Sequence, residues 1–348
     1  MIQTADADVI VVGGGPVGLL LAHLLGRYGH TVLVLESNTA PAVRSMAIGI
    51  TPPSLDILRL LDLDEAFIAA GLPIREAWVH EERRLTGRLA FGGWSEPFPF
   101  ILSLPQRVTM EILRRRLDRW PGVRLAEGWR TSAVTQDRDM VHLRARNACS
   151  GEERMFSAPL AAACDGARGE MAGHLGLEKR SHRYRPMFVM GDFRDRSGLA
   201  EEAHLYFGRE RPVESFPLPG GQRRWIVREG WRGEVDLHEP LADAVTRLTG
   251  IAIHREDQVD ESRFQPRWSL VRRWHRGRVA LCGDAAHVMS PIGGQGMNTG
   301  FGDAVFLARA VDDVLTCRAP VEDWMSMYEA RRGDAFRRAA RRAALGMG

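Results

Sequence analysis

Residues 8–18 read DVIVVGGGPVG. The apolar, mostly β-branched run at 9–12 suits a strand buried on both faces, because a half-exposed strand would alternate with polar residues. The glycines follow at once. Then VGLLLAHLLGRYG is apolar on nearly every side, as a buried helix is, and Gly29 ends it. TVLVLE supplies a second buried strand that finishes at Glu36. Strand, glycine loop, helix, strand and acid, in that order, start a parallel sheet covered by helices and mark a dinucleotide site. Gly13 permits the tight turn, Gly15 lets backbone approach a pyrophosphate, and Gly18 lets the helix pack close to the sheet. Pro16 and Val17 complete the loop at a helix N-terminus, which offers unpaired N–H groups and partial positive charge. Glu36, 18 residues beyond Gly18 and followed by Ser37, is placed to accept hydrogen bonds from an adenosine ribose. An acid there disfavours a 2′-phosphate, so the expected ligand is FAD or NAD rather than NADP.

Composition narrows the setting. The 348 residues suit one large or two modest domains, and 45% hydrophobic with 26% charged residues suits a packed globular core. No apolar run approaches the roughly 18–20 residues of a membrane span. The start, MIQTADAD, lacks the basic opening of a signal peptide, so a cytoplasmic address without membrane attachment is expected. Cys149, Cys164, Cys282 and Cys317 are scattered and show no metal spacing, which reads as free buried thiols without a metal site. The formal net charge is only +3 and Lys179 is the one lysine. Arg114, Arg115, Arg116 and the late segment RRGDAFRRAARRAA read as solvated helix faces rather than a nucleic-acid surface.

Along the chain, helical patterns fall at about 52–61 and 63–70, strand-like sequence from Arg75 to about Ser103, and a helix in LPQRVTMEILRRRLDRW. Short strands follow to Cys164. From about Ser181 to Trp268 the sequence turns antiparallel in character, with PLPGGQR as a hairpin turn and one helix near 239–250. RVALCGD then resumes a buried strand, and two helices follow at about 297–316 and 320–344. The expected fold is α/β, a discontinuous Rossmann-like domain (1–74, 104–180 and 269–348) with an inserted β-sheet substrate domain (75–103 and 181–268).

Two further motifs complete the pattern. CDGARG occupies 164–169, and GDAAHVMSPIGGQGMNTGFGDAVFLA occupies 283–308. With GGGPVG and Glu36 they resemble the group A flavoprotein monooxygenases, the relatives of p-hydroxybenzoate hydroxylase, over nearly the whole chain. Arg44 and LSLPQRVTMEIL at 102–113 are similar to that family's arginine loop and glutamine helix.

The resemblance implies an extended FAD touched by all three motifs. It assigns Asp284 to a ribityl hydroxyl, and Gln106 to the ribityl chain or pyrophosphate. Val134 goes to adenine through its backbone, and Asp165 to FAD and NADPH handling. Pro291, Gly293, Gly294, Gly296, Met297 and Asn298 form the loop and helix start beneath the flavin ring edge, where a helix N-terminus stabilises negative charge. The chain departs from the family in carrying Gly169, Met171 and Ala172 after Asp165, where a Ser and later an Arg are usual; this puts NADPH docking by that segment in doubt. His287 resembles a structural histidine, and no catalytic side chain is assigned.

The implied reaction is hydroxylation of a phenolic or polyketide-like aromatic. NADPH or NADH reduces FAD transiently, O₂ forms a flavin C4a-hydroperoxide, and its distal oxygen passes to the substrate. Tyr206, Phe216, Trp225 and Pro291 are candidates for the substrate wall. A related halogenase would carry W-x-W-x-I-P and an active-site lysine. That motif is absent, and Lys179 lies outside the flavin segments in sequence. An epoxidase or isoprenoid reductase of the same superfamily and a non-catalytic flavin-binding protein remain as alternatives. The substrate's identity, the choice of NADH or NADPH and the oligomeric state are not encoded in any motif.

Overall fold

The structure, a computed structural model, describes residues 5–40, 47–91, 97–208, 211–229, 239–291, 294–317 and 319–345. Its centre is a six-stranded sheet in the order His275–Arg276, Val279–Leu281, Leu160–Ala163, Val9–Val12, Val32–Glu36, Val123–Glu127. Every neighbouring pair is parallel except the first, an antiparallel edge. All four residues of Val9–Val12 are buried. Each buried Val or Ile contributes about 1.5–3 kcal/mol, which is why this short strand holds the middle of the sheet. The helix Pro16–Arg27 packs against the long helix Gln295–Cys317 and against Gln106–Arg115. An antiparallel meander, Trp129–Gln136, Val141–Asn147 and Glu153–Ala158, packs against the first two strands.

The second large element is a seven-stranded sheet in the order Gln258–Phe264, Met187–Arg194, Gln222–Glu229, Val213–Leu218, Ala203–Phe207, Glu76–Glu81, Arg84–Ala90. Side chains alternate between its two faces. Val189, Phe193, Tyr206, Val213, Trp225 and Val227 pack against Leu241, Ala242 and Val245 of the helix Leu241–Thr249. That helix seats closely because Gly191 has no side chain; a Cβ there would lie 2.7 Å from Leu241 Cδ2. Glu214 and Phe216 lie on the opposite face, whose neighbours by register are Leu205, Ile226, Arg224, Met190 and Asp192.

Two small sheets join these units. Lys179–Arg183, Arg267–Val271 and His287–Val288 form one, at the place where the chain leaves and re-enters the Rossmann-like part. Gly49–Ile50, Ile101–Ser103 and Leu72–Ile74 form the other. The second touches the large sheet where Leu72 and Ile101 pack with Phe216, and Ser103 Oγ donates to the Pro217 carbonyl at 2.6 Å. The architecture is the expected discontinuous α/β fold with inserted sheet.

The tightest backbone contact lies at Gly18. A Cβ there would sit 2.0 Å from the Gly13 carbonyl oxygen, with Cys164 Cβ at 3.1 Å. Backbone cannot give way as a flexible side chain does, so Gly18→Ala should lower Tm by about 5 °C or more. A thermal scan of the apo protein showing an unchanged Tm would contradict this packing.

Candidate flavin and substrate site

The three motifs begin at the carboxyl ends of adjacent parallel strands. Gly13 N donates to Leu35 O, Cys164 N to Val12 O and Cys282 N to Ala163 O, at 2.8, 2.7 and 2.9 Å. In an open α/β sheet this edge is where ligands bind. The two glycine segments also touch each other. Val17 of the first fills the space where Gly283 and Gly300 of the second lack side chains: a Cβ at those positions would come within 3.2 and 2.6 Å of it.

The first helix starts with Gly15 as its cap in an extended conformation, with Pro16 following. It has no side-chain cap and no acid in its first turn. No side-chain cap and no acid of its own first turn therefore satisfies its N–H groups and partial positive charge. A Cβ on Gly15 would meet nothing within 4 Å, and the same holds at Gly166, Gly294 and Gly296. These backbones border open space rather than packed core, as a cradle for an elongated ligand requires.

Glu36 is buried at the end of its strand. Its Oε2 accepts from Gly14 N at 2.7 Å, and its Oε1 accepts from Asn38 N and Nδ2, both at 2.7 Å. The carboxylate thus ties the glycine loop down, and Oε2 keeps room for one more donor. Exposed Ser37 adds a hydroxyl 3.4 Å from Oε1.

Asp165 turns its carboxylate inward, where Oδ2 accepts from Met171 N at 2.9 Å at the start of the short helix Met171–His174. Burial raises its pKa, opposed by that backbone bond and by Lys179. The departure at Gly169 has a local cause, since a Cβ there would collide with this carboxylate at 2.0 Å from Cγ. Lys179 donates to Ala167 O at 3.2 Å, and its charge acts on both Asp165 and Asp284. The expectation that Lys179 stands apart from the flavin segments is therefore corrected. Pairing of Lys179–Arg183 with Arg267–Val271 carries it back to them. Burial, then the neighbouring charge of Arg267, lowers its pKa.

Asp284 lies in the single turn Gly283–Ala285. Solvent reaches its side chain, yet lost solvation is the main cause of its raised pKa, opposed by His287, Arg267 and Lys179. A carboxyl that is accessible and still crowded by protein lies in a concavity. His287 is structural. Its Nε2 is 2.6 Å from Asp303 Oδ2, Arg332 Nε donates to Asp303 Oδ1 at 2.6 Å, and Trp274 and Phe336 flank the ring.

The long helix begins at Gln295, two residues before the expected start, and its first turn also lacks an acid. Gly294 N donates to Pro291 O at 2.9 Å, and Pro291 is exposed. Asn298 is committed as a brace. Its Oδ1 accepts from Thr51 N, Thr51 Oγ1 and Ser54 Oγ at 3.0, 3.1 and 2.7 Å. Its Nδ2 donates to Gly49 O and Gly294 O at 3.0 and 2.7 Å. Only its backbone is left to face a ligand. Met297 is half-buried against the core. Gln106 heads its helix with its N donating to Ala47 O at 3.0 Å. Val134 pairs with Leu143 in the meander, its side chain packed into the main core. Arg44 and Gly293 lie outside the described residues.

The substrate wall needs a correction. Tyr206 and Trp225 are buried beneath the helix Leu241–Thr249, on the face away from Phe216. Large apolar residues point both ways in their strands, Phe207 beside Tyr206 and Ile226 beside Trp225, and only the register separates the faces. Phe216 lies on the side braced to the second glycine segment through the Gly49–Ile50 strand and Asn298. Two residues along that face stands Glu214, which sequence reasoning missed. The signal was an acid inside the apolar strand VESFPL. Glu214 is half-buried and, among the described residues, has no hydrogen bond or ion pair. Burial alone pushes its pKa up to about 7.

All four cysteines are free, but Cys149 and Cys317 are exposed, against the expectation that all would be buried. Among the described residues no His, Cys, Asp and Glu grouping suits a metal ion, and no helix is long and apolar enough to cross a membrane.

A family model described as an FAD binding domain matches residues 6–343. The chain belongs to this FAD-binding family. It is 31% identical over 337 residues to 6-methylpretetramide 4-monooxygenase of Streptomyces rimosus, covering 93% of this chain and 59% of that protein. It is 27% identical over 314 residues to pentachlorophenol 4-monooxygenase of Sphingobium chlorophenolicum, covering 87% and 57%. The chain therefore spans well under two thirds of the length of these two relatives. Among solved structures it superposes on anhydrotetracycline hydroxylase from Streptomyces rimosus with a TM-score of 0.78 at 27% identity, covering 98% of this chain and 69% of that one. With p-nitrophenol 4-monooxygenase from Pseudomonas putida DLL-E4 the TM-score is 0.89 at 23% identity, covering 99% and 89%, which shows a shared fold. The motifs at 13–18, 165–169 and 283–300 all fall within the matched range.

Two outcomes follow from the site. Asn298→Ala leaves several part-buried groups unpaired and should destabilise the apo protein by about 1–3 kcal/mol; denaturant melts measure it. Glu214 holds its proton longer when folded than its ordinary value of 4.5 allows. Its contribution to stability is therefore fully present at low pH and is lost as pH rises from about 4.5 to about 7. Glu214→Gln should be more stable than wild type by an amount that grows from about pH 5 to about pH 8 and stays below about 3 kcal/mol, since solvent reaches the side chain. A difference that does not change with pH would contradict the assigned environment.

Proposed function

We propose that the protein is an FAD-dependent, NAD(P)H-consuming monooxygenase that hydroxylates an aromatic small molecule, phenolic or polyketide-like. The observation that supports this most is the meeting of two glycine segments at Val17, with open backbone at Gly15, Gly166, Gly294 and Gly296 along one sheet edge. A single nucleotide phosphate needs only the first segment; a long dinucleotide with a ring at its far end needs both. We take 1–74, 104–180 and 269–348 as the cofactor unit, and 75–103 and 181–268 as the substrate unit.

The residues fit FAD. Bound FAD, reduced by NADH or NADPH, supplies the electron transfer and the activation of O₂. Gly13, Gly15, Pro16, Val17 and Gly18 hold the pyrophosphate against a helix end that carries no acid of its own. Glu36 offers Oε2 to a ribose hydroxyl. Asp284 meets the ribityl chain in its concavity, its carboxylate accepting from a hydroxyl. Gly294, Gly296 and the backbone of Met297 and Asn298 present helix N–H groups to negative charge at the ring edge. Arg44, Gln106, Val134 and Asp165 are further contacts in this reading. The face carrying Phe216, together with Pro291, positions the aromatic substrate and keeps water from the reacting atoms. The names of the relatives, acting on 6-methylpretetramide and pentachlorophenol, support an aromatic substrate. A reaction that draws on NADH or NADPH suits the cytoplasm.

The purified protein should be yellow, and a panel of phenols and polycyclic aromatics should contain one that accelerates NAD(P)H oxidation with oxygen uptake. A chain that takes up no FAD, or flavin that NAD(P)H never bleaches, would sink this reading. Gly15→Ala gives a sharper check. Gly15 has φ −73, which alanine adopts freely, and open space around its Cβ position. The variant should keep the wild-type Tm as apo protein, yet bind FAD at least about tenfold more weakly, a loss of ~1.4 kcal/mol. Equal FAD affinity would contradict a pyrophosphate at this loop.

A further inference from the structure

The substrate-side face of the large sheet carries one acid that no structural role absorbs. Asp192 on this face is neutralised by Arg224, whose Nε and Nη2 donate to its two oxygens at 2.7 and 2.8 Å. Glu214 has no such partner among the described residues. Its direct neighbours by register are Leu205 on one side and Ile226 on the other, and Phe216 follows it on the same face. Met190 lies opposite Ile226 on the next strand. The surroundings are apolar, yet the side chain is only half-buried, so its carboxyl borders accessible space rather than packed core. An unpaired buried carboxylate is costly unless it is used. The nearby small sheet, Leu72–Ile74 and Ile101–Ser103, brings no charged residue towards it. Among the described residues, the cations on this face of the neighbouring strand are Arg224, held by Asp192, and Arg228, which also has a partner.

We propose that Glu214 is the general base that takes the proton from the substrate's aromatic hydroxyl, and that the substrate is an uncharged hydroxyaromatic without a carboxylate anchor. The inference rests on the monooxygenase reading. In the step, the phenolic O–H bond breaks and the proton passes to a Glu214 carboxylate oxygen. The electron pair stays on the phenolate oxygen and spreads to the ortho and para ring carbons, which become the nucleophile for oxygen transfer. Charge is conserved: one carboxylate is neutralised as one phenolate forms. Met190, Leu205, Phe216 and Ile226 supply an apolar bed for the ring. Among the described residues of this face, a substrate carboxylate would find a like charge and no uncommitted arginine.

The pH response belongs to few groups. Among the described residues, Arg224, Arg228, Asp192, Asp260 and Glu81 are charged residues that share the face by register. Glu214 is the one whose pKa burial pushes up to about 7.

The test uses the FAD-loaded full chain and Glu214→Gln, which keeps the shape and removes the base. Each is titrated with 4-nitrophenol, whose ionisation is visible in difference spectra, and with 4-hydroxybenzoate, across roughly two pH units either side of neutrality. Wild type should bind 4-nitrophenol more tightly than 4-hydroxybenzoate. Its affinity for the neutral phenol should rise as Glu214 ionises, with phenolate forming at pH values where the free probe is still protonated. In Glu214→Gln the pH-dependent limb and the phenolate signal should vanish, and discrimination against 4-hydroxybenzoate should shrink. Substrate-coupled oxygen transfer should fall about 10²- to 10⁴-fold, while FAD content and substrate-free flavin reduction stay at wild-type levels. The proposal is overturned if the variant keeps the wild-type binding profile, if wild type prefers the carboxylate probe, or if neither phenol binds. The two failures are distinguishable. Wild type without FAD, or with flavin that NAD(P)H does not reduce, removes the monooxygenase reading and this proposal with it. A normal flavin response with an indifferent Glu214→Gln removes this proposal alone.

Discussion

Backbone crowding at the carboxyl ends of three neighbouring strands sets the terms for the rest of the structure. Gly18 lies so close to the Gly13 carbonyl that no side chain fits, and a Cβ on Gly13 would meet the Cys164 carbonyl at 2.4 Å. Val17 then fills the gap left by Gly283 and Gly300. Segments nearly the whole chain apart in sequence are thereby locked side by side. Their remaining glycines, Gly15, Gly294 and Gly296, turn bare backbone outward. The same residue type does two jobs: glycine inside the junction allows contact, and glycine at its rim leaves room.

Charge placement follows the same division. Behind the second glycine segment, Asp303 is wholly buried and satisfied by both His287 and Arg332, with Arg332 Nη2 also donating to Thr299 O at 3.0 Å. Removing one partner from such a group costs about 3–5 kcal/mol, so the network acts as an anchor rather than a reactive centre. In front of the junction the pattern reverses. The helices starting at Pro16 and Gln295 carry no acid in their first turns. Asp284 and Glu214 stand where solvent reaches them and burial raises their pKa. Groups that hold the fold are paired; those that face the cleft are left for a ligand.

Much of this was legible in the residues. The run VIVV, the spacing of Gly13, Gly15 and Gly18, and Glu36 at a strand end dictate the parallel sheet and its ligand edge through local rules alone. The structural role of His287 came from the resemblance of GDAAH to the family's motif, and its bond to Asp303 agrees with that role. What failed was face and proximity. Tyr206 and Trp225 occupy strands with large apolar residues on both sides, Phe207 and Ile226 being next to them, and a shift of one residue in register exchanges the faces. Only the observed pairing puts them under the helix Leu241–Thr249. Lys179 looked remote because sequence distance hides the antiparallel pairing that returns it to Asp165 and Asp284. The bond from Met171 N to the Asp165 carboxylate is likewise invisible in the local sequence. Glu214 was overlooked because an acid in a strand usually faces water, and its solitude appears only in three dimensions.

The central claim is that both glycine segments hold one and the same flavin. Titration of apo protein with FAD, comparing wild type with Gly296→Ala, tests it most directly. The account predicts one FAD per chain, with Gly296→Ala weakening that binding at least about tenfold although it lies far from the first loop in sequence. Two FAD per chain, or wild-type affinity in Gly296→Ala, would contradict it.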